Sequence, residues 1–503
     1  MPPLLRQYSA DEILKLLKTK KSDFWVAEGR KRSLALFHNA AERVPAYKDF
    51  LKKHNIKDHT KIKIWDDFQS IPVVDKKNYL RQYPLEKLCW DGTLKKPMVF
   101  TATSGSTGEP FYFPRDERLD RQSAIMHEMF LQSSGLNAKK STLVIVCFGM
   151  GVWIGGLITY QAFRALWERG YPITLITPGV NKKEIFDALK HIGKKYDQLI
   201  LCGYPPFIKD VIDDGKANGI RWKGFDIRIV FAAEAFSEQF RQYILEETGI
   251  EEEYTRITNI YGTADLGTMA QETPISVFTR RAALHRESLF ESLFNSIKRT
   301  PTLAQFNPLF INFEAVNGNI LCTGDNVLPL VRYAIGDHGG VAEYNEVAQK
   351  LEWHRVPVKK ETHRLGISNT VSELPFVYVY ERADLSTKLY GAIIYPEHIK
   401  TAVQHQTAKK ILTGKFTVLT QHDEQQNQYL EIHLERKPRV KTDGQSIKEA
   451  ISKLITKHLL QKNSEYKYLS SSIPDKVKPR ITFWDYEHPL HFKPGGKQKW
   501  VKK

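Results

Sequence analysis

Between residues 141 and 261, short β-rich apolar runs alternate with stretches of helical spacing: STLVIVCF (141–148), PITLIT (172–177), QLILCG (198–203), IRIVFAA (227–233) and RITNIY (256–261). Among the intervening segments are KKEIFDALKHIGKKY and SEQFRQYILEETG. The second has Ser237 as an N-cap, Glu238 in its first turn and Gly249 near its end. This alternation predicts an α/β fold with a mostly parallel sheet and covering helices. Ligands of such sheets sit at the carboxyl ends of the strands. The polar clusters Ala233-Glu234 and Tyr261-Gly262-Thr263-Ala264-Asp265 fall there.

Leu143–Tyr160 (LVIVCFGMGVWIGGLITY) is uncharged and close to the lower length limit for a membrane span. Four glycines interrupt it, so it reads as a buried strand, a glycine turn and a helix start. A chain of 503 residues, 42% hydrophobic and 26% charged, is globular in composition and too long for one core. Residues 10–90 read as polar helices. After about residue 385 come a helical segment (PEHIKTAVQH), a hairpin (KFTVLTQH and QYLEIHLERK), an amphipathic helix (QSIKEAISKLITKHLL) and a last strand (PRITFWDY). The expected division is a large amino-terminal domain, 1–381, and a small α+β domain, 382–503.

Cys89, Cys147, Cys202 and Cys322 are far apart and form no CxxC pair, which excludes a disulfide framework or zinc site written in the sequence. With no apolar stretch of the signal-peptide kind at the amino end, the expected location is cytoplasmic. The net charge is +17. The last 67 positions hold roughly 16 basic and 6 acidic residues, a surface suited to an anion. No RRM, zinc-finger or aromatic-basic signature accompanies it, so nucleic acid is not the expected partner.

The strongest single motif is Thr101-Ala-Thr-Ser-Gly-Ser-Thr-Gly-Glu-Pro110. Gly105 and Gly108 allow a tight turn with its N–H groups aimed at a ligand, and Thr103, Ser104, Ser106 and Thr107 add hydroxyl donors, a loop suited to polyphosphate. It matches neither the GxxxxGK[ST] loop nor the GxSxG elbow. Four further pieces follow in order: FAAEAFSEQFR around Glu234, NIYGTADLG at 259–267, LPLVRYAIGDHGG at 328–340 and YERADLSTKLYGAIIYPEHI at 380–399.

With these five motifs in this order, the chain resembles the adenylate-forming superfamily of acyl-CoA synthetases and adenylation domains. Within it, ERVPAYKDFL and IPVVDKKNYLRQYP are similar to the branch of phenylacetate-CoA ligases and their capsule-biosynthesis relatives. The resemblance implies ATP-dependent adenylation of a carboxylic acid, release of pyrophosphate and transfer of the acyl group to a thiol, most simply coenzyme A. The Thr103–Gly108 loop would hold the β- and γ-phosphates, with Thr107 closest. Ala233, Glu234 and Ala235 would line the adenine, Tyr261 would stack on it, and Asn259, Gly262 and Thr263 would complete the nucleotide site. Asp337 would accept both ribose hydroxyls, Arg382 would reach ribose or phosphate, and Asp384 would be the hinge. Gly391 would let the pantetheine arm of coenzyme A pass, and Lys497, in KPGGKQKW, would reach the α-phosphate.

The acidic Mg²⁺ ligand of the family falls on Asp265. Relatives carry Ser or Thr then Glu at this point, whereas this chain has Ala264 then Asp265, and Glu381 stands where a Gly usually precedes Arg382. Two other readings stay open. One keeps adenylation and passes the acyl group to an amine or carrier-protein thiol; the other is a non-catalytic, basic nucleotide-binding protein. The stretch from Thr268 to Glu314 has no counterpart in the branch. Its spacing predicts a helix or two with Arg280, Arg281 and Arg286 on the polar side.

Overall fold

The runs 142–147 and 198–203 lose every side chain from water, which is why they show no polar alternation: strands covered by helices on both sides need apolar residues on both faces. The computed structural model describes residues 7–102, 110–294, 300–380, 386–403, 405–438, 440, 444–492 and 501. After helices such as Ser22–Arg43, the chain enters a hairpin, β1 (Val99–Ala102) and β2 (Tyr112–Arg115). The parallel series then follows: β3 (Thr142–Cys147), β4 (Ile173–Ile176), β5 (Gln198–Gly203), β6 (Asp226–Ala232) and β7 (Ile257–Thr263). Helices Ile154–Trp167, Lys182–His191, Pro205–Ala217 and Glu238–Thr248 make the crossovers. Ser237 caps the last by accepting the Phe240 N–H, and Gly249 closes it at φ 73°. Leu143–Tyr160 is thus strand, turn and helix, and no helix among the described residues is long and apolar enough to cross a membrane.

The parallel strands are one half of a larger sheet. The chain turns back into β8 (Gly267–Gln271), antiparallel to β7, and continues antiparallel through β9 (Thr302–Gln305), β10 (Ile311–Val316), β11 (Asn319–Gly324), β12 (Leu330–Ala342) and β13 (Phe376–Tyr380). The order is β10-β11-β12-β13-β9-β8-β7-β6-β5-β3-β4. The α/β class therefore holds, with a mixed sheet. The unplaced 268–314 stretch supplies β8, two helices (Pro274–Leu284 and Glu287–Phe294), β9 and most of β10. Arg280, expected on the polar side, is instead buried, 2.9 Å from Glu272. Arg241, equally buried, sits 2.7 Å from the same carboxylate, so the inserted helix is riveted to its neighbours by paired charge.

The carboxyl-terminal part has its own sheet. After a small hairpin, β14 (Thr387–Leu389) and β15 (Ala392–Ile394), β16 (Leu412–His422) pairs antiparallel with β17 (Gln428–Arg436), and β18 (Arg480–Trp484) joins β17 in parallel. Helices Pro396–Val403 and Gln445–Lys462 cover it, as expected. The hairpin and the helix Ser464–Ser472 were not expected from the sequence. Its core (Phe416, Ile432, Ile455) is continuous with the apolar side of helix Pro205–Ala217. The junction at 381–385 lies outside the described residues, so the 381/382 boundary stays an expectation.

Candidate functional site

The ends of β6 and β7 lie side by side, with Ala232 opposite Ile260. Ala233 follows at φ 74°, a left-handed conformation that costs a residue with a Cβ of order 1 kcal/mol or more. That turn sends the Glu234 carbonyl toward Asn259, whose Nδ2 donates to it at 3.0 Å. Asn259 is buried, and its Oδ1 has no hydrogen-bond partner among the described residues. A buried amide oxygen left without a donor suits a ligand that brings an N–H.

Two residues further along β7, the Tyr261 hydroxyl donates to Asp337 Oδ2 at 2.7 Å, while its ring stacks 6.2 Å from Phe313. Asp337 lies on β12 just after Gly336 (φ 90°) and is buried. Gly262 has no room for a side chain: a Cβ would lie 2.7 Å from the Gly267 carbonyl. Thr263 Oγ1 accepts the Leu266 N–H at 3.3 Å and so shapes the turn that holds Asp265. The structure thereby gathers Ala233, Glu234, Ala235, Asn259, Tyr261, Gly262, Thr263 and Asp337 at one end of the sheet.

Thr103, Ser104, Gly105, Ser106, Thr107 and Gly108 lie outside the described residues, as do Arg382, Asp384 and Lys497. The strands flanking the loop are nevertheless tied to the same place. The Ala102 N–H donates to the Val152 carbonyl at 2.9 Å, and Thr101 Oγ1 lies 3.5 Å from the Ala264 carbonyl. Val501 pairs with Val418, so the segment with Lys497 is anchored at its far end on the small sheet.

Asp265 departs from the expected open metal ligand. Its carboxylate is 3% exposed, accepts the Tyr333 hydroxyl at 2.5 Å, and has the Lys76 ammonium 3.5 Å away. Lys76 is carried there because Val74 pairs with Tyr333. A carboxylate facing an ammonium is a poor seat for Mg²⁺, and among the described residues no group of three His, Cys, Asp or Glu could hold a metal. That statement also covers His488 and His491, which pack against Trp484. Burial raises the Cys322 thiol pKa, with Asp337 and Asp265 adding to it, and leaves the thiol inert.

The small domain closes over this end of the sheet. Gly391 (φ 87°) comes so near Tyr204 that a Cβ would lie 2.7 Å from the ring, and its N–H donates to Glu234. Gln428 Nε2 donates to the other Glu234 oxygen at 3.0 Å, and Lys388 donates to the Ala233 carbonyl. The Glu234 side chain, expected along an adenine, is thus turned to the small domain, and only the backbone of 233–235 stays on the Asn259 side. Trp153 of the WxxGG stretch meets Tyr468 at 4.7 Å. Glu465 accepts the Ile393 N–H at 3.0 Å, and its pKa is pushed up to about 7 by burial, against the pull of that N–H and of Lys388. Lys388, only three residues from Gly391, was within reach of the sequence; Lys76, Gln428 and Glu465 gave no local signal. Two surface grooves, of about 530 and 580 Å³, lie elsewhere and contain none of the expected site residues.

No protein-family model matches the chain, and no curated protein matches it by sequence. Solved structures do. The fold is similar to that of a 2-hydroxyisobutyryl-CoA ligase in complex with 2-HIB-AMP and CoA in the thioesterification state, with TM-score 0.65 and 14% identity over 100% of this chain and 94% of that one. The same ligase in its postadenylation state with 2-HIB-AMP gives 0.53 at 14% identity, over 97% and 91%. In an open conformation with 2-HIB-AMP and CoA it gives 0.52 at 14% identity, over 99% and 96%. The α/β architecture with a smaller carboxyl-terminal domain is therefore that of an adenylate-forming ligase.

Proposed function

We propose that the protein is an AMP-forming acid–CoA ligase that uses ATP. The observation that carries this reading is the convergence, at one end of the sheet, of a nucleoside-shaped set (Asn259, Tyr261, Asp337) with a glycine hairpin (Gly391) seated on Glu234 and Tyr204. The unpartnered Asn259 oxygen suits the amino group of an adenine, and Asp337, an acceptor when ionised, suits ribose hydroxyls. In the first step a carboxylate oxygen of the acid bonds to the α-phosphorus of ATP and pyrophosphate leaves. The Thr103–Gly108 loop, Arg382 and Lys497 are assigned to the phosphates, where cations and N–H groups stabilise the developing charge. In the second step the CoA sulfur bonds to the acyl carbon and AMP leaves, with Gly391 admitting the pantetheine arm. Asp265 is kept out of this scheme as a metal ligand, since Lys76 and Tyr333 already engage it.

The acceptor assignment is supported by the pose. The chain superposes better on the CoA-bound thioesterification state of the neighbouring ligase than on its postadenylation state, 0.65 against 0.53. For the acid, the aryl-acetate class of the phenylacetate-CoA ligase branch is the first to test. A carboxylic-acid panel, read by pyrophosphate release with ATP, with and without CoA, checks the reading. We expect acid-dependent release and a CoA thioester. Folded protein that releases no pyrophosphate with any acid would overturn it; release without thioester formation would move the acceptor to an amine or carrier protein.

A further inference from the structure

The groups holding the small domain to the large one are polar, and they are concentrated on two carboxylates of the large domain. Glu234, 5% exposed, takes the Gly391 N–H on one oxygen and the Gln428 amide on the other. Asp210, on helix Pro205–Ala217 and 1% exposed, takes the Lys476 ammonium at 3.1 Å. One residue before it, the fully buried Lys209 bonds Asn427 of the small domain at 3.1 Å. Asn427 and Gln428 are neighbours at the start of β17, so a single corner of the small sheet meets both points.

This chemistry differs from that of a permanent core. Carboxylates, an ammonium and amides recover water when they separate, so the contact releases at small cost, whereas separated apolar faces do not. The hairpin at Gly391 adds a steric condition, since it seats on Tyr204 only without a side chain.

We propose that Asp210 and Glu234 are positioning residues: a two-point latch, closed by Lys476 and Gln428, that holds the small domain in the acyl-transfer pose. The proposal rests on the ligase reading and deepens it by assigning the residues that choose between its two half-reactions. Neither carboxylate touches the reacting atoms; each acts through the placement of Gly391.

The test uses the full chain with Lys476→Ala and Gln428→Ala combined, and Lys476→Arg as the conservative control. Each lost contact is worth about 0.5–1.5 kcal/mol, so transfer from synthetic acyl-adenylate to CoA should fall about 10-fold in the double variant. Acid-dependent ATP–pyrophosphate exchange, which belongs to the other pose, should stay within about twofold, the scatter of substitutions that touch nothing in that step. Lys476→Arg should keep wild-type transfer. The pose is read separately, without substrate, from the distance between spin labels at Lys190→Cys and Lys453→Cys, both exposed; the native cysteines are all buried and stay unlabelled. The double variant should broaden that distance distribution. An unchanged distribution overturns the latch, as does an equal fall in both half-reactions. If the wild type releases no pyrophosphate with any acid, the ligase reading has failed, and the distance measurement alone decides whether the latch exists.

Discussion

Two clusters of buried charge in this molecule look alike residue by residue and differ in what surrounds them. In one, Glu238 and Glu272 meet Arg241, Arg280 and Arg281, all within the large domain. In the other, Asp210 and Glu234 of the large domain meet Lys476 and Gln428 of the small one. The first ties the inserted helix Pro274–Leu284 to helix Glu238–Thr248 and β8, and nothing in the proposed reaction requires it to open. The second spans the only part of the proposed mechanism that must move. Buried charge is costly to leave unpaired, so the same chemistry gives a rivet when sealed on all sides and a latch when one side can leave.

The largest expected effect lies in the rivet. Glu272→Gln leaves Arg241 and Arg280 short of a carboxylate at a site with 1% exposure or less. Breaking such a pair costs about 3–5 kcal/mol, read as a lower denaturant midpoint at unchanged m-value. Burial alone would raise the Glu238 pKa, but Arg241, Arg280 and Arg281 outweigh it and hold it at about 2. Its contribution is present above the unfolded carboxyl pKa and is lost as pH falls from about 4.5 toward 2. If Glu272→Gln unfolds no more easily than wild type, the contrast between rivet and latch collapses.

Next in size is Lys497→Ala. Removing one electrostatic stabiliser of a developing oxyanion costs about 10²–10³ in rate, so acid-dependent pyrophosphate release should drop by that factor. Supplied with acyl-adenylate, the variant should still form thioester nearly normally, the mirror image of a latch variant. Equal losses in both steps would return Lys497 to the basic tail.

Glu465 sharpens the comparison with pH. It lies beneath the Gly391 hairpin, beside Lys388 and Tyr204, with its pKa raised to about 7. A carboxyl group whose folded pKa exceeds the unfolded one favours the folded state while protonated, and that advantage fades as pH rises from about 4.5 through 7. Glu465→Gln, which keeps an acceptor for the Ile393 N–H, should flatten the fall in melting temperature between pH 5 and 8. A pH slope equal to that of wild type would mean that Glu465 titrates as an ordinary surface acid.

The parallel half of the sheet was legible because strands buried on both faces leave unbroken apolar runs, as at LVIVC and LILCG, and because Ser237 and Gly249 mark a helix at both ends. The antiparallel half was not, since its strands carry buried polar groups such as Gln305, Glu314 and Arg332 that mask alternation. Arg280 was misread for the same reason: an arginine on a helix reads as a wet face until the fold brings Glu238 and Glu272 to it. Asn259, Tyr261 and Asp337 could be singled out by motif. The destination of the Glu234 side chain could not, because Gln428 lies 194 residues away and no local spacing records it.

The smallest expected effect concerns Asp265, where motif and structure part. The family pattern makes it a metal ligand, while the structure gives it a tyrosine hydroxyl and an ammonium. Lys76 is 36% exposed, so its pair with Asp265 is on the weak scale of partly solvated ion pairs, about 1 kcal/mol. Lys76→Met removes that competing charge and leaves Tyr333 in place. If Asp265 does bind Mg²⁺ during adenylation, the half-saturating Mg²⁺ for pyrophosphate release should fall about fivefold, the equivalent of 1 kcal/mol. An unchanged Mg²⁺ titration would mean that Asp265 is a structural partner of Tyr333 and Lys76, and that the metal is held by the nucleotide phosphates without it.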